Sequence, residues 1–426
     1  MLELMNSEDK VVVIGGGAAG MIAAWRSASL GASTLLLEKN NKLGIKVLIS
    51  GGGRCNVTHS GDVSDLLSGF RKNEANFLKP SFYKFSNAEI INLLEKRGIK
   101  TFTREDGKVF PVSKSAKDVV DALKTSILDA GVELHLNSNV EDILTENGAV
   151  RGVKVNGKTI PSSSIILATG GLSYPKTGST GDGYKWAEKL GHTIVPLLAS
   201  LAPMKIEPKP PTEWSGVAFR DCILSCITDG KKKAEWRGDF LFTHDGISGP
   251  TVLEISRDVA EIFPKNEVTL AVDIHPEKSF ELLDEFVRQM VASNPGREIK
   301  TIVKNFLPNR IVEYVLNKNG IDAEMRCSNL SRTHRIKILN ILKDWKLGKV
   351  TEVDIAKGEV TAGGIVLKEV DSRTMQSRKI KGLYLCGEVL DIAGRIGGYN
   401  LQAAYSTGYV AGESAALENK KKSRPA

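Results

Sequence analysis

Three kinds of hydrophobic spacing follow one another along the chain. Residues 11–14, VVVI, form an unbroken apolar run, the pattern of a strand buried on both faces within a parallel sheet. STLLLE (33–38), SIILATGG (164–171) and GLYLCGE (382–388) contain similar short runs, each stopping at a glycine or an acid. Between the first two, MIAAWRSASLG predicts a helix closed at Gly31. Residues 196–275 change to alternating and β-branched segments such as FRDCILSCITD and EVTLAVDIHP, punctuated by Pro and Gly, which predict strands. Residues 277–345 change again: SFELLDEFVRQMVA, REIKTIVKNFL, NRIVEYVLNK and HRIKILNILKDW carry apolar residues at i, i+3 and i+4, which predicts helices around a small core of their own. Strand-like alternation returns over 348–368. Residues 400–417 predict a helix rich in alanine and glycine, with Ala404, Gly408, Ala411 and Ala415 giving a flat side for close packing on the sheet.

This order predicts an α/β protein with a discontinuous, doubly wound Rossmann-like domain from residues 1–193 and 362–426. An inserted β-rich, barrel-like domain takes 194–275 and 346–361, and a helical cap subdomain takes 276–345. The substrate is expected in the cleft under such a cap.

The first strand runs into Gly15-Gly16-Gly17-Ala18-Ala19-Gly20, which fits G-x-G-x-x-G. Gly15 permits a sharp turn, Gly17 lets backbone approach a pyrophosphate, and Gly20 lets helix and strand pack closely. The unpaired N–H groups of the following helix then face the anion. Glu38 closes the second strand, where a carboxylate accepts hydrogen bonds from ribose hydroxyls, and an acid there disfavours a 2′-phosphate. NAD and FAD both fit this first unit. A second glycine run, Gly51 to Gly53, follows in LGIKVLISGGGRCNVTH with Arg54 and Asn56 as donors beside it. Ala168-Thr169-Gly170 ends a further strand, and Gly387-Glu388 ends another in the manner of the Gly-Asp pair that meets ribityl hydroxyls. These fragments, in this order, select FAD over NAD.

The strings SGGGRCNVT, LATGG, FTHDGISGP, VTAGG and GEVLD…GGYNLQ closely resemble the BaiN/RdsA-like NAD(P)/FAD-dependent oxidoreductases, also called YhiN-like flavoproteins, which include aminoacetone oxidase-like members. The resemblance spans residues 11–417. It implies noncovalent FAD held at Gly15, Gly17, Ala18, Ala19, Gly20, Glu38, Lys39, Gly44, Lys46, Ser50, Gly51, Gly52, Gly53, Arg54, Cys55 and Asn56. It further implies contacts at Val140, Ala168, Thr169, Gly170, Gly387, Glu388, Asp391, Gly397, Gly398, Tyr399, Asn400 and Leu401. His59 stands where asparagine is often expected.

Two-electron chemistry at the flavin on a small metabolite is the expected activity. There is no C-x-x-x-x-C around Cys55 and no second strand–GxGxxG–helix unit between 60 and 380, so NAD(P)H is expected only as a transient donor. His244, in FTHDGISGP, suits proton movement because imidazole titrates near pH ~6.5. Cys55 is a candidate reactive thiol, with close packing as its other reading. Arg54 and Arg395 could meet an anionic substrate. No metal site is expected. The five cysteines are scattered; Cys222 and Cys226 share one strand face, as small buried hydrophobes do.

The formal charge of +8 keeps an RNA-modifying flavoenzyme as an alternative, although part of it comes from Lys420, Lys421, Lys422 and Arg424, expected to be a frayed tail. A non-catalytic flavin-binding or electron-transfer protein is a third reading. The polar start MLELMNSEDK and the lack of a long apolar window imply a cytoplasmic protein without membrane contact.

Overall fold

The computed structural model describes residues 10–422, so the leader reading and Arg424 lie outside the described residues. The chain falls into two compact units. One runs to Leu198 and resumes at Glu359; the other is Ala199–Gly358.

The first unit is built on a five-stranded parallel sheet in the order Leu383–Leu385, Ser164–Leu167, Val11–Ile14, Thr34–Leu37, Glu133–His135. Val11–Ile14 lies in the middle, paired from Val11 with Thr34 on one side and Ser164 on the other. All four of its residues are buried, which is why the run has no polar alternation. Two small antiparallel sheets accompany it: Thr58–His59 with Lys108–Pro111 and Thr101–Thr103, and Val140–Glu146 with Ala149–Val155 and Lys158–Pro161.

The helix Ala18–Ser29 packs against the C-terminal helix, Tyr399–Lys422. A Cβ at Gly408 would lie 2.3 Å from the Ala19 carbonyl oxygen, and one at Gly412 would lie 2.2 Å from that of Ala23. Gly408 and Gly412 therefore admit another helix backbone at closest approach, while the same helix also meets the strand Ser164–Leu167. Lys420 and Lys421 are exposed but helical, in the last turns and not in a frayed tail.

Where the chain returns to this unit, polar groups fasten it. His192 is buried, with Nδ1 3.1 Å from Glu369 Oε2 and Nε2 2.9 Å from Ser377 Oγ. Glu369 also accepts from the Thr193 N–H and hydroxyl at 2.9 Å each and pairs with Lys379 at 2.9 Å. These donors hold its carboxyl at about 2 against the cost of burying the charge. Desolvation lowers the His192 pKa, favouring the neutral ring.

The second unit is a closed barrel of six strands: Met204–Glu207, Gly246–Ser248, Lys231–Phe242, Ala218–Thr228, Thr269–Asp273 and Trp345–Glu352, in that order around the wall. Cys222 and Cys226 are both buried in the strand Ala218–Thr228. The helices Phe280–Ala292, Ile299–Val303, Asn309–Lys318 and Arg332–Asp344 lie between the last two strands in sequence. Their buried faces do not form a core of their own. Leu283, Ile302, Ile311 and Leu339 join the same apolar cluster as Phe240 and Leu270 of the barrel wall. Continuous burial of this kind costs no second interface to water, so helices and barrel make one unit.

Candidate functional site

In an open parallel sheet, ligands bind where the strands end at their carboxyl edge. Here Ile14, Leu167 and Leu385 stop together, and Gly15, Ala168 and Cys386 follow them. Gly15 has φ +105°, and a Cβ on it would stand 2.5 Å from the Ala168 carbonyl oxygen. Gly20 packs closer still, since a Cβ there would lie 1.8 Å from the oxygen of Gly15. Only glycine lets this helix sit directly on its strand. Gly17 caps the helix with no side-chain bond, and a Cβ on it would meet nothing within 4 Å. The first N–H groups of the helix, at Ala18 and Ala19, have no carbonyl one turn earlier within the helix to bond, the arrangement that attracts an anion.

Glu38 is buried at the end of its strand. Oε2 accepts from the Gly16 N–H at 2.7 Å; Oε1 accepts from the Asn40 N–H at 2.8 Å and from its side-chain amide at 2.7 Å. The acid thus fixes the glycine turn from below. Gly44 donates to the Gly16 carbonyl at 2.9 Å, and Lys39 pairs with Asp182 at 3.0 Å.

The second glycine run breaks a helix. Residues Ile45–Gly53 begin helically, but Ser50 is extended and Gly51 and Gly52 have φ +56° and +66°. Ser50 Oγ donates to the Val47 carbonyl at 2.7 Å and closes the preceding turn. A Cβ on Gly52 would meet nothing within 4 Å. Exposed Arg54 donates to the Gly51 carbonyl at 3.1 Å and lies over the Phe110 ring at 5.7 Å. Asn56 is buried, and its Oδ1 has no donor among the described residues.

Cys55 is fully buried, with a positive φ of 57°. Burial pushes its thiol up to about 12 against a hydrogen bond with Ser50 that works the other way. A thiol held there does not become a nucleophilic thiolate near neutral pH. The packing reading replaces the reactive one.

At the third strand end, Glu388 gathers groups from across the unit. Lys46 Nζ approaches its two oxygens at 2.7 and 2.9 Å; Oε1 also accepts from Ser173 Oγ at 3.0 Å and from the Thr361 N–H at 2.8 Å. Lys46 further donates to Ser173 Oγ at 2.8 Å. Thr361 Oγ1 accepts from the Leu172 and Ser173 N–H groups at 2.8 and 3.0 Å. Lys46 and Glu388 were expected separately; Ser173 and Thr361 were not. The VTAGG string, already recognised as part of the family pattern, was the signal for Thr361. Below the pair, Gly387 donates to Thr407 Oγ1 at 3.0 Å and Tyr184 donates to the Glu388 carbonyl at 3.1 Å. Asp391 lies on the same stretch, its N–H donating to Ile365 at 3.1 Å.

The Gly397–Leu401 segment leads into the C-terminal helix. Tyr399 stacks on His59 with ring centres 4.6 Å apart, and His59 Nδ1 lies 3.1 Å from the Gly397 carbonyl. Asn400 holds the loop through both ends of its amide, 2.8 Å from the Gly394 N–H and 2.9 Å from its carbonyl. A Cβ on Gly398 would strike the Thr58 backbone at 2.5 Å, and Leu401 packs partly buried on the core. Gln402, which the sequence reading passed over, is fully buried and accepts from Thr58 Oγ1 at 2.7 Å.

Thr169 turns its hydroxyl away, towards Gly183, where a Cβ would come within 2.1 Å of Oγ1, while Gly170 faces Ser179. Val140 is buried at the start of an antiparallel strand. His244 belongs to the second unit, in the turn before Gly246–Ser248, with 76% of its side chain exposed and Asp245 at 3.5 Å. The ring is open to solvent on this loop, which the Thr243 N–H closes by donating to the Gly246 carbonyl at 2.9 Å. Among the described residues, no three His, Cys, Asp or Glu side chains group as metal ligands, and no helix is long and apolar enough to cross a membrane.

The geometry at the strand ends fits a dinucleotide such as FAD: a glycine turn open at Gly17, a second open at Gly52, a helix N-terminus at the first, and a buried Asn56 Oδ1 without a donor among the described residues.

Comparison with known proteins agrees. The model of the HI0933-like protein Rossmann domain matches residues 9–414. The ribosomal RNA dihydrouridine synthase of Haemophilus influenzae is 32% identical over 95% of this chain and 98% of its own length. The 3-dehydro-bile acid delta(4,6)-reductase of Clostridium scindens is 29% identical over 96% of this chain and 99% of its own. Among solved structures, the 3-ketosteroid delta1-dehydrogenase of Sterolibacterium denitrificans aligns with 96% of this chain and 100% of its own at a TM-score of 0.53 and 14% identity. The E. coli quinol fumarate reductase FrdA aligns with 98% and 71% at 0.53 and 18%. At those identities the two structures speak for the fold alone. A match over nearly the whole length, on a sheet edge shaped for a dinucleotide, places this chain in the HI0933-like Rossmann family of FAD-dependent oxidoreductases.

Proposed function

We propose that this chain reduces a carbon–carbon double bond conjugated to a carbonyl, on a small metabolite. FAD, when bound, supplies the two-electron transfer. The observation that carries the reading is the carboxyl edge of the sheet, where a Cβ on Gly17 or on Gly52 would meet nothing within 4 Å. These residues would hold the cofactor's phosphates, with Glu38 on the ribose side and Asn56 as a buried acceptor. Lys46 and Glu388, tied to Ser173 and Thr361, would set the charge at the third strand end. A lysine already paired with a carboxylate adds little net charge, which keeps that end selective for hydroxyls over phosphate.

The choice of bond rests on the chemistry in two relatives' names. Forming dihydrouridine adds two hydrogens across a double bond conjugated to a carbonyl, and so does each reduction within a delta(4,6) unsaturation conjugated to a 3-oxo group. A second reading, uridine within ribosomal RNA, is favoured by the first of those names and by the chain's charge of +8.

The test is an anaerobic titration of the FAD-loaded protein with NADH and then NADPH, followed by an enone or by RNA lacking the modification. Bleaching of the flavin band and its return with the enone support the first reading. Return with RNA, together with dihydrouridine found by mass spectrometry, supports the second. A flavin bleached by neither nucleotide, or reoxidised by neither acceptor, overturns both.

A further inference from the structure

A flavin delivers one of the two hydrogens of an enone reduction as hydride; the other must reach the carbon beside the carbonyl as a proton. Lys46 and Glu388 are already bound to each other at 2.7 Å. Tyr174 stands next to them in the chain fold. It follows Ser173, whose hydroxyl lies 2.8 Å from Lys46 Nζ and 3.0 Å from Glu388 Oε1. Its backbone is left-handed, with φ +51° and ψ +60°. An aromatic side chain and a following proline each disfavour that region, and Tyr174 has both. The conformation is held from behind: the Thr177 N–H and hydroxyl donate to the Tyr174 carbonyl at 2.8 and 2.7 Å. Backbone outliers fixed in this way collect at functional sites, because they aim a side chain.

Glu359 is brought to the same place by hydrogen bonds. It precedes the strand Val360–Ile365, whose Thr361 Oγ1 accepts from the Leu172 and Ser173 N–H groups at 2.8 and 3.0 Å. Lys46 and Lys108 act on its carboxylate through space, yet Lys108 is paired with Asp106 at 2.9 Å. Among the described residues, neither the Tyr174 hydroxyl nor the Glu359 carboxylate makes a hydrogen bond or an ion pair. Both keep accessible surface, 37% of it at Tyr174. Desolvation nevertheless raises the Glu359 carboxyl above its ordinary range, against the two lysines, so its surface faces a recess. Desolvation, and then the charge of Glu359, raise the Tyr174 phenol in turn and keep it protonated at neutral pH. All these residues belong to the first unit.

We infer that Tyr174 is the proton donor of the reduction and that Glu359 is its positioning residue. The inference rests on the reading of a conjugated double bond given above. The β-carbon gains hydride, with both electrons, from reduced flavin, and the double bond shifts to give an enolate. The α-carbon of that enolate takes the proton from the Tyr174 O–H, and the tyrosinate regains one from solvent. A uracil ring, conjugated in the same way, is served by the same step.

Rapid mixing of the FAD-loaded chain tests this. The flavin is reduced by light without oxygen, so no particular nicotinamide is needed, and its reoxidation by cyclohexenone or by RNA lacking dihydrouridine is followed. Tyr174→Phe should slow reoxidation by about 10²-fold or more. Tyr83→Phe, at a site 68% exposed on the helix Lys72–Lys84, should match wild type. Glu359→Gln should move the alkaline limb of reoxidation to lower pH, since losing the neighbouring charge eases ionisation of the phenol; a merely structural Glu359 would leave the limb in place. Apart from turnover, ultraviolet difference titration of wild type against Tyr174→Phe should show one phenol ionising above pH ~10, and lower when Glu359 is Gln. If Tyr174→Phe loses flavin, the limb and titration of Glu359→Gln carry the test. An active wild type with Tyr174→Phe equally fast, or with an unmoved limb and phenol in Glu359→Gln, overturns this inference alone. A wild type reoxidised by neither probe overturns the double-bond reading and this inference together.

Discussion

Replacing Gly408 by alanine puts a methyl group where the Ala19 carbonyl oxygen stands, 2.3 Å away. Side-chain carbons do not approach backbone closer than about 3.0 Å, so the two helices must part by about 0.7 Å or the methyl must displace the first turn of Ala18–Ser29. Overpacking a dense core in this way costs about 1–3 kcal/mol. Alanine recovers about 0.8–1 kcal/mol of helix propensity over glycine, leaving a net loss of up to about 2 kcal/mol. Because Ala19 lies in the turn whose N–H groups face the proposed phosphate position, part of that loss should reach the cofactor. FAD affinity should fall about tenfold for each 1.4 kcal/mol transmitted. Gly412→Ala is the control. Its methyl would lie 2.2 Å from the Ala23 carbonyl oxygen, one helical turn farther from the open end, so it should cost similar stability but change FAD affinity less than about threefold. Flavin fluorescence titrations of apoprotein and urea unfolding of both variants measure the two effects. Equal FAD affinities in the two variants would refute the link between the helix contact and the cofactor turn. Unchanged stability in both would refute the packing argument itself.

Two further outcomes follow from buried titratable groups. Stability should fall as the medium is acidified. The His192 pKa is lowered in the folded state, so its neutral-state stabilisation is present above about pH 6.5 and is lost as pH falls below that value. Glu369, held at about 2, contributes above its unfolded value and loses that contribution as pH falls through its folded one. In chemical denaturation at stepped pH, Glu369→Gln should show a smaller loss than wild type below pH ~4.5; parallel curves would remove Glu369 from the account. All five cysteines are buried, so iodoacetamide at mildly alkaline pH should leave the native protein unmodified and label every thiol once it is unfolded. Native labelling of Cys55, read by peptide mass, would restore the reactive-thiol reading.

Much of the site was legible because its local physics is written in consecutive residues. Val11–Ile14, Gly15, Gly17, Gly20 and Glu38 form one strand–turn–helix–strand unit, and short-range sterics decide where each glycine must fall. The Glu388 cluster was not legible in the same way. Lys46 and Glu388 are 342 positions apart, and Ser173 and Thr361 meet them only through the sheet. The C-terminal helix was read as packing closely on the sheet, and it does meet Ser164–Leu167, but its Gly408 and Gly412 are spent on the helix Ala18–Ser29, a partner that alanine and glycine spacing does not identify. The helical run 277–345 was likewise legible as helices. That it shares a core with the barrel depends on tertiary burial of residues such as Leu283 and Ile311, which periodicity alone does not assign.

The pairing of Ala18–Ser29 with Tyr399–Lys422 also has a consequence for biosynthesis. The alanine-lined face of the early helix leaves the ribosome long before its partner exists. At about 5–20 residues per second, the intervening stretch of nearly four hundred residues takes roughly 20–80 s to make. Over that interval the nascent chain exposes an apolar strip and an unfinished sheet edge, the surfaces that holdase chaperones bind. Flavin can be captured with full affinity only after synthesis is nearly complete, so release of the last helix sets the moment at which the apoprotein becomes competent for its cofactor.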